Sequence, residues 1–430
     1  MARWICFLFL LNCTVSLADS CPERLGAEST FEDLQTKVLQ CGIGSLEKLL
    51  PLLSIQHLSQ YVLVHHSQSL QGASAESPRV ILYGKAAKLV LAFNGDPSQE
   101  RYRNLEIIQY RDSSRRFEFR DIEFNEGSAS PTISPPNPPI CMSCHRGADP
   151  RPNWAGYPLW PGAFGGEDDG IFRLTAPMDR SSEDWVTYQF FLDHQKQHGR
   201  YQFLSEKPAA ELPNTVLGSL LQELNLHRIA RKLSTEKLIR FRYAILGAVS
   251  CFYSDHHTFI QDFVPASTQT GFKLTYDQVL NHTVDQNRVA FLDRIQDLQA
   301  IDAHAPLSSR VQEIWEIERD PTSAILVSDQ IMARLRWITE NLGERVDDWS
   351  LQFGPPSADL ENGYVGVSDL QRILPDELLP AEADSALRSV LDHRVDGDLE
   401  IICDQLQQKS QGVLTFSANS SNLPVRQTHY

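Results

Sequence analysis

Cys141-Met142-Ser143-Cys144-His145 places two thiols three positions apart and an imidazole directly after the second. The spacing suits covalent attachment of haem through a C-x-x-C-H pattern. Each thiol adds to one vinyl group of the porphyrin to form a thioether, and the adjacent imidazole then reaches the iron from one face. With 8 Cys and 13 His in 430 residues, chance supplies only about 0.005 such matches. Cys141 and Cys144 are therefore the expected anchors of a single haem c, and His145 the expected proximal iron ligand. Two other chemistries use the same pair of thiols. A zinc site needs ligands from a second cluster, whereas Cys251 and Cys403 stand alone. A thioredoxin-like dithiol sits at a helix start within a βαβ unit, whereas this pair follows a proline-rich stretch. Covalent haem requires neither.

The opposite face of the iron decides what the haem does. A thioether ligand raises the potential, an imidazole lowers it, and an open face admits small ligands or peroxide. Met142 lies inside the motif and cannot turn back to the distal side. Met178, in Thr175-Ala176-Pro177-Met178-Asp179, lies on a loop within workable reach and is the candidate second metal ligand. An isolated Met also serves simply as core filler. His194 with His198, and the pair His256-His257, are the alternatives, and a water-filled distal site is the other. Around the haem, Arg146 and Arg151 are candidates to pair with the propionates as bidentate donors. Trp154, Tyr157 and Trp160 are candidates to pack on the porphyrin, or equally to pack their rings on a neighbouring sheet. Glu167-Asp168-Asp169 lacks the spaced ligands of a calcium loop and is expected to be a solvated acidic turn.

The five-residue motif resembles that of c-type cytochromes. The wider block is similar to a group of exported bacterial mono-haem proteins. It runs from Asn137-Pro138-Pro139-Ile140-Cys141 through His145-Arg146-Gly147 to Arg151-Pro152-Asn153-Trp154 and Trp160-Pro161-Gly162-Ala163-Phe164-Gly165. That resemblance covers about a tenth of the chain and implies a compartment and a cofactor rather than a reaction. The sequence departs from small soluble cytochromes c, in which the motif lies near the start of a short domain and leads into a helix. Here it follows more than a hundred residues and is trailed by Pro150 and Pro152, which puts the small-cytochrome fold and its distal methionine in doubt.

The compartment follows from the first residues. Arg3, the apolar run Trp4 to Leu11 and the small-x-small pattern Ser16-Leu17-Ala18 form a secretory signal peptide cut after Ala18. The apolar run is short of the ~20 residues that span a bilayer. Asn12 and Asp19-Ser20 suit lipid attachment at Cys13 or Cys21 poorly. No later segment is long and apolar enough to cross a membrane. A periplasmic location follows, and bacterial c-type haem attachment also takes place outside the cytoplasm. Six cysteines remain after cleavage. Four of them suit disulfides, with Cys21–Cys41 and Cys251–Cys403 the favoured pairing, other pairings and buried free thiols being the alternatives. The formal net charge of −16 argues against nucleic acid or anionic membrane as partners and favours a basic redox partner protein.

The elements that must position the motif follow from periodicity. Thr30 to Gln40 carries a capping-box pattern, with Asp33 three residues after Thr30. Leu46 to Val64 has helical spacing, kinked or restarted at Pro51, with Leu49, Leu52, Leu53 and Leu63 facing a core. Four strand-like runs follow, 79–83, 88–93, 105–110 and 116–124, and the last alternates as a sheet with one wet face does. An antiparallel meander is the economical arrangement. Five prolines between Ser128 and Pro139 make an extended linker. Beyond Ser182 the chain is largely helical. Ser182, Asn214 and Ser234 are expected caps for helices reaching about His198, Leu233 and Tyr253. Further helices are expected over 276–301, 308–318, 322–342, 368–374 and 382–408, with a break at Pro355-Pro356.

The expected fold class is α+β, mainly α, with a small antiparallel meander before the motif and a larger helical unit after it. The expected organisation is a signal peptide over 1–18 and N-terminal helices plus meander over 19–128. A proline-rich linker and haem loop follows over 129–180, then a helical domain over 181–410 and a disordered tail over 411–430. No phosphate loop, G-x-S-x-G elbow or His-Glu-x-x-His is present. Electron transfer is the first expected function. A peroxidase- or oxidase-like enzyme with an open distal site, and a haem-bearing sensor or interaction protein, are the alternatives.

Overall fold

The computed structural model describes residues 23–67, 69–125, 130–145, 149–154, 162–166, 183–286, 327–344, 366–379, 385–392 and 399–417. The expected signal peptide, Cys21, Arg146, Tyr157, Trp160, Met178, the expected acidic turn 167–169, the expected cap Ser182, the expected helix 308–318 and Pro355-Pro356 lie outside these residues.

The protein is α+β and mainly α. A six-stranded antiparallel meander runs β1 Tyr61–Val64, β2 Arg79–Tyr83, β3 Leu89–Phe93, β4 Asn104–Arg111, β5 Arg116–Glu123 and β6 Thr132–Ile133, each paired with the next. The four strands expected from alternation are present. β1 and β6 are additions. Tyr61–Val64 continues the apolar run of the preceding helices without a break in composition, and its strand state comes from pairing, Tyr61 opposite Leu82 and Val64 opposite Arg79. The stretch 46–64 is accordingly α2 Leu46–Leu49, a 3₁₀ turn Leu50–Leu52 and a restarted helix α3 Ile55–Ser59, but its last residues form β1 rather than continuing the helix. β6 pairs Ile133 with Ile122 inside the stretch expected to be only a linker.

Both faces of the sheet are covered over β1, β2 and β3, whereas β5, the run expected to have one wet face, keeps half-exposed or exposed charged residues between its buried Phe117, Phe119 and Ile122. Every residue of β1, β2 and β3 is buried, and such two-sided burial explains their unbroken apolar sequences. One face takes Leu63, Val80, Leu82, Leu91, Phe93, Ile107 and Ile122, packed against α1 Phe31–Gln40 and against Tyr188 and Phe191 of α5 Glu183–Gln195. The capping box of α1 is present, with Thr30 accepting from the Asp33 N–H and Asp33 accepting from the Thr30 N–H. The other face takes Val62, Ile81, Tyr83, Val90, Phe117 and Phe119. It packs against Leu217, Leu221 and Leu224 of α6 Pro213–Leu233.

α6 joins the two units of the molecule. Leu226, Ile229, Ala230 and Leu233 of its second half belong to a separate core built around α7 Arg242–Ser250. After α7 come α8 Ala266–Gln269, α9 over 276–286, α10 Val327–Asn341, α11 Gly366–Leu378, α12 Ser385–Asp392 and α13 Leu399–Ser417. Cys251 and Cys403 form the expected disulfide between the end of α7 and α13. Cys41 is also disulfide-bonded. Three sequence expectations change here. Asn214 is not a cap, because Pro213 opens α6 and the carbonyl of Gly165 accepts the Asn214 N–H at 3.0 Å. Ser234 closes α6 instead of starting a helix, donating its N–H to Ala230 and Arg231. α13 runs on to Ser417 with Ser410 buried against the Phe263 carbonyl, so the helix extends into the stretch expected as a disordered tail.

Candidate haem site

The motif lies on a helix of its own, α4 Pro139–His145, which leaves the edge of the sheet after β6. The prolines of the approach do not forbid it, since Pro139 occupies the first helical position, where its missing N–H has no partner to lose. Helical spacing brings Cys141, Cys144 and His145, at i, i+3 and i+4, onto one side of α4. Both thiols are free, Cys141 half-buried against the α6 face of the sheet and Cys144 exposed. Burial raises the Cys141 thiol to about 11. That is the reverse of the activated thiolate a dithiol oxidoreductase uses at neutral pH.

Asn137 docks α4 on the sheet. It sits in the left-handed region at φ +53°, a conformation that asparagine tolerates better than most residues. There its N–H donates to the Phe119 carbonyl at 2.8 Å, and its Oδ1 accepts the Phe119 N–H at 2.9 Å. One residue thus completes both backbone groups of a β5 position. The Phe119 side chain in turn stacks on the His145 imidazole, with ring centroids 4.1 Å apart and planes at 27°.

His145 is held from its other side by the segment that follows. Its Nδ1 lies 2.8 Å from the Arg151 carbonyl, and the Arg151 N–H donates to the His145 carbonyl at 3.2 Å. A carbonyl only accepts, so Nδ1 carries the proton and the neutral ring keeps its lone pair on Nε2. Burial lowers the imidazole to about 4, so the ring is neutral at physiological pH, the state a metal ligand needs. Asn153 donates to the Cys144 carbonyl at 2.8 Å and ties the same segment to the end of α4.

The segment 149–154 is in turn fastened to α6. Asp149 accepts from Arg228 at 2.5 Å and from Arg231 at 3.2 Å, and Lys232 lies 2.7 Å away. Burial opposes ionisation of Asp149, but Lys232 and Arg228 overcome it and hold the carboxyl below its usual value. At the other end the Trp154 N–H donates to Asn214 Oδ1 at 3.1 Å, with both residues buried. Trp154 packs on the apolar face of the sheet with its N–H committed to Asn214. Arg151 is buried and presents its carbonyl to His145.

A neighbouring segment completes the frame. Ala163 bridges Val64, Phe164 donates to the Leu63 carbonyl at 2.9 Å, and Gly165 accepts from the first turn of α6. Gly165 has φ +91°, and a Cβ there would meet Pro213 at 2.4 Å, so only glycine fits.

These residues fit the proximal half of a c-type haem. Two reduced thiols, a neutral imidazole with a free Nε2 lone pair and a fixed Nδ1 hydrogen bond are the groups such attachment needs. Among the described residues Asn214 Nδ2, Asn225 Nδ2 and Arg231 Nε, all on α6, are buried without hydrogen-bond partners. Among the described residues no group of three or more His, Cys, Asp or Glu is placed to hold a metal ion. Haem makes no such demand, because the porphyrin supplies the equatorial nitrogens. Of the distal alternatives, His194 has its Nδ1 2.8 Å from the Phe190 carbonyl. His198 stacks on Tyr201 and bonds the Gly95 carbonyl. His257 lies against Asp404 of α13.

Phe119, Asn137, Asp149, Asn214 and Arg228 were not evident as site residues from spacing. The one signal was Asn137, an asparagine directly before Pro-Pro. No family model, curated protein or solved structure matches the chain.

Proposed function

We propose that the protein is an exported, periplasmic mono-haem c-type protein whose activity is electron transfer. The reading rests on one observation above the others. Cys141, Cys144 and His145 share one side of α4 with both thiols free, while Nδ1 of His145 is engaged by the Arg151 carbonyl. Cys141 and Cys144 anchor the porphyrin, and His145 binds iron through Nε2. When bound, the haem supplies a one-electron couple. The chain's own residues set the conditions around it. Phe119 covers one face of the imidazole, and the Arg151 carbonyl draws on its Nδ1 proton and makes Nε2 a stronger donor. Cys141 and Met142 of α4 are half-buried against the apolar cluster on the α6 side of the sheet. The acidic surface favours a basic partner protein in the encounter.

The test is expression with an export signal and bacterial haem-attachment machinery. The expected result is one haem per chain that survives acid–acetone extraction. A chain that emerges folded and colourless under those conditions rejects the proposal.

A further inference from the structure

We infer that Asp149, held by Arg228, and Trp154, held by Asn214, are positioning residues through which α6 sets the orientation of the His145 imidazole. The inference rests on the proposed function for its consequence at iron, though not for its geometry.

The geometry lies in what flanks Arg151. Asn214 and Arg228 are 14 residues apart on α6, about 21 Å along the helix axis. Asp149 and Trp154, five residues apart, are tied to them through side chains at either end of one short segment. Residues 150–154 carry no helix or strand of their own, so these ties help to place the segment. Arg151 lies between the two ties, and its carbonyl is the acceptor for His145 Nδ1 at 2.8 Å. Moving either end therefore moves the acceptor and, with it, the ring.

The ties are stronger than packing alone requires. Arg228 is fully buried and is aimed by Asn225, whose Oδ1 accepts from Nε at 2.8 Å. One carboxylate, Asp149, meets Arg228, Arg231 and Lys232 from successive turns of α6. At the other end a neutral hydrogen bond between two buried side chains fixes Trp154. The same helix continues into the separate core around α7. A displacement of the helical unit thus reaches His145 through two short bonded paths, and the helical unit gains a role at the site.

The experiment uses the full chain in two forms. The haem-free form, kept reduced, reports the His145 tautomer by nitrogen-15 NMR of the imidazole. The haem-loaded form reports the midpoint potential. Asp149→Asn is expected to turn a single Nδ1–H tautomer into a mixture and to raise the potential, because the ligand loses its Nδ1 acceptor and donates less. Asp149→Glu, which keeps the charge, is expected to restore both signals towards the wild type. Trp154→Phe keeps the ring and removes only the N–H, and is expected to shift both in the same direction by less. Wild-type signals in folded Asp149→Asn overturn the inference. If that variant does not fold, wild-type signals in Trp154→Phe overturn it instead. If the wild-type chain takes up no haem, the proposed function fails, and the tautomer measurement still decides the positioning role.

Discussion

The imidazole of His145 lies on the ring of Phe119, centroids 4.1 Å apart, and Asn137 closes both backbone hydrogen bonds of that same phenylalanine. Sheet, helix start and the His145 ring are therefore joined at one strand position. An error in the docking of α4 is transmitted directly to the histidine.

Phe119→Leu keeps an apolar side chain and loses the ring stack. A loss of about 1 kcal/mol is expected, the magnitude of a buried aromatic pair beyond its area. Urea unfolding of the haem-free chain measures it. Haem attachment should persist in this variant, because the thiols are untouched.

Asn137 separates two effects. Asn137→Gly keeps the left-handed backbone and loses the Oδ1 acceptor for the Phe119 N–H, at about 1 kcal/mol. Asn137→Ala loses the same acceptor and adds the cost of a Cβ at φ +53°, about 1 kcal/mol more. Denaturation midpoints should rank wild type above Gly above Ala. The reverse order of the two variants would show that backbone conformation is not limiting there.

Cys144→Ser should leave the haem on a single thioether through Cys141, with a shifted pyridine haemochromogen band. The double replacement of Cys141 and Cys144 by Ser should make the haem extractable by acid–acetone. Covalent haem in the double variant is incompatible with the assignment of the anchors.

The pH dependence follows from Asp149. Its carboxyl lies below the ordinary value of 3.8, so folding favours the charged form. The stabilisation is complete above the unfolded-state value and is lost as pH falls through the lower folded-state value. Urea midpoints taken from pH 6 down to pH 3 should therefore fall less steeply at the acid end for Asp149→Asn than for the wild type. Identical slopes would mean that Asp149 does not carry the linkage.

Cys251–Cys403 closes a loop of 152 residues between α7 and α13. On chain entropy alone, a loop of that length gives about 5 kcal/mol. Replacing both cysteines by alanine should lower the unfolding temperature of the helical unit. The His145 NMR signal, which depends on the sheet and α6, should hold until that unit melts.

Much of the fold was legible wherever one residue and its near neighbours determine the state. Thr30 and Asp33 announce the start of α1, and the alternation of Phe117, Phe119 and Ile122 announces β5. β1 was hidden because Tyr61–Val64 is apolar throughout, and such a run fits a buried helix as well as a strand covered on both faces. β6 was hidden by its prolines, and Asn214 passed for a cap because the Gly165 carbonyl that replaces it lies 49 positions earlier.

The sequence by itself determined which reactive groups lie together. Two thiols and an imidazole at that spacing belong to one short piece of chain, and the helix α4 turns them to one side. Only the tertiary structure decided what holds them. Asp149 meets Arg228 across 79 positions and Trp154 meets Asn214 across 60. Contacts at such separations form only after both faces of the sheet are covered and α6 lies along one of them. No local preference of asparagine, aspartate or arginine encodes that placement.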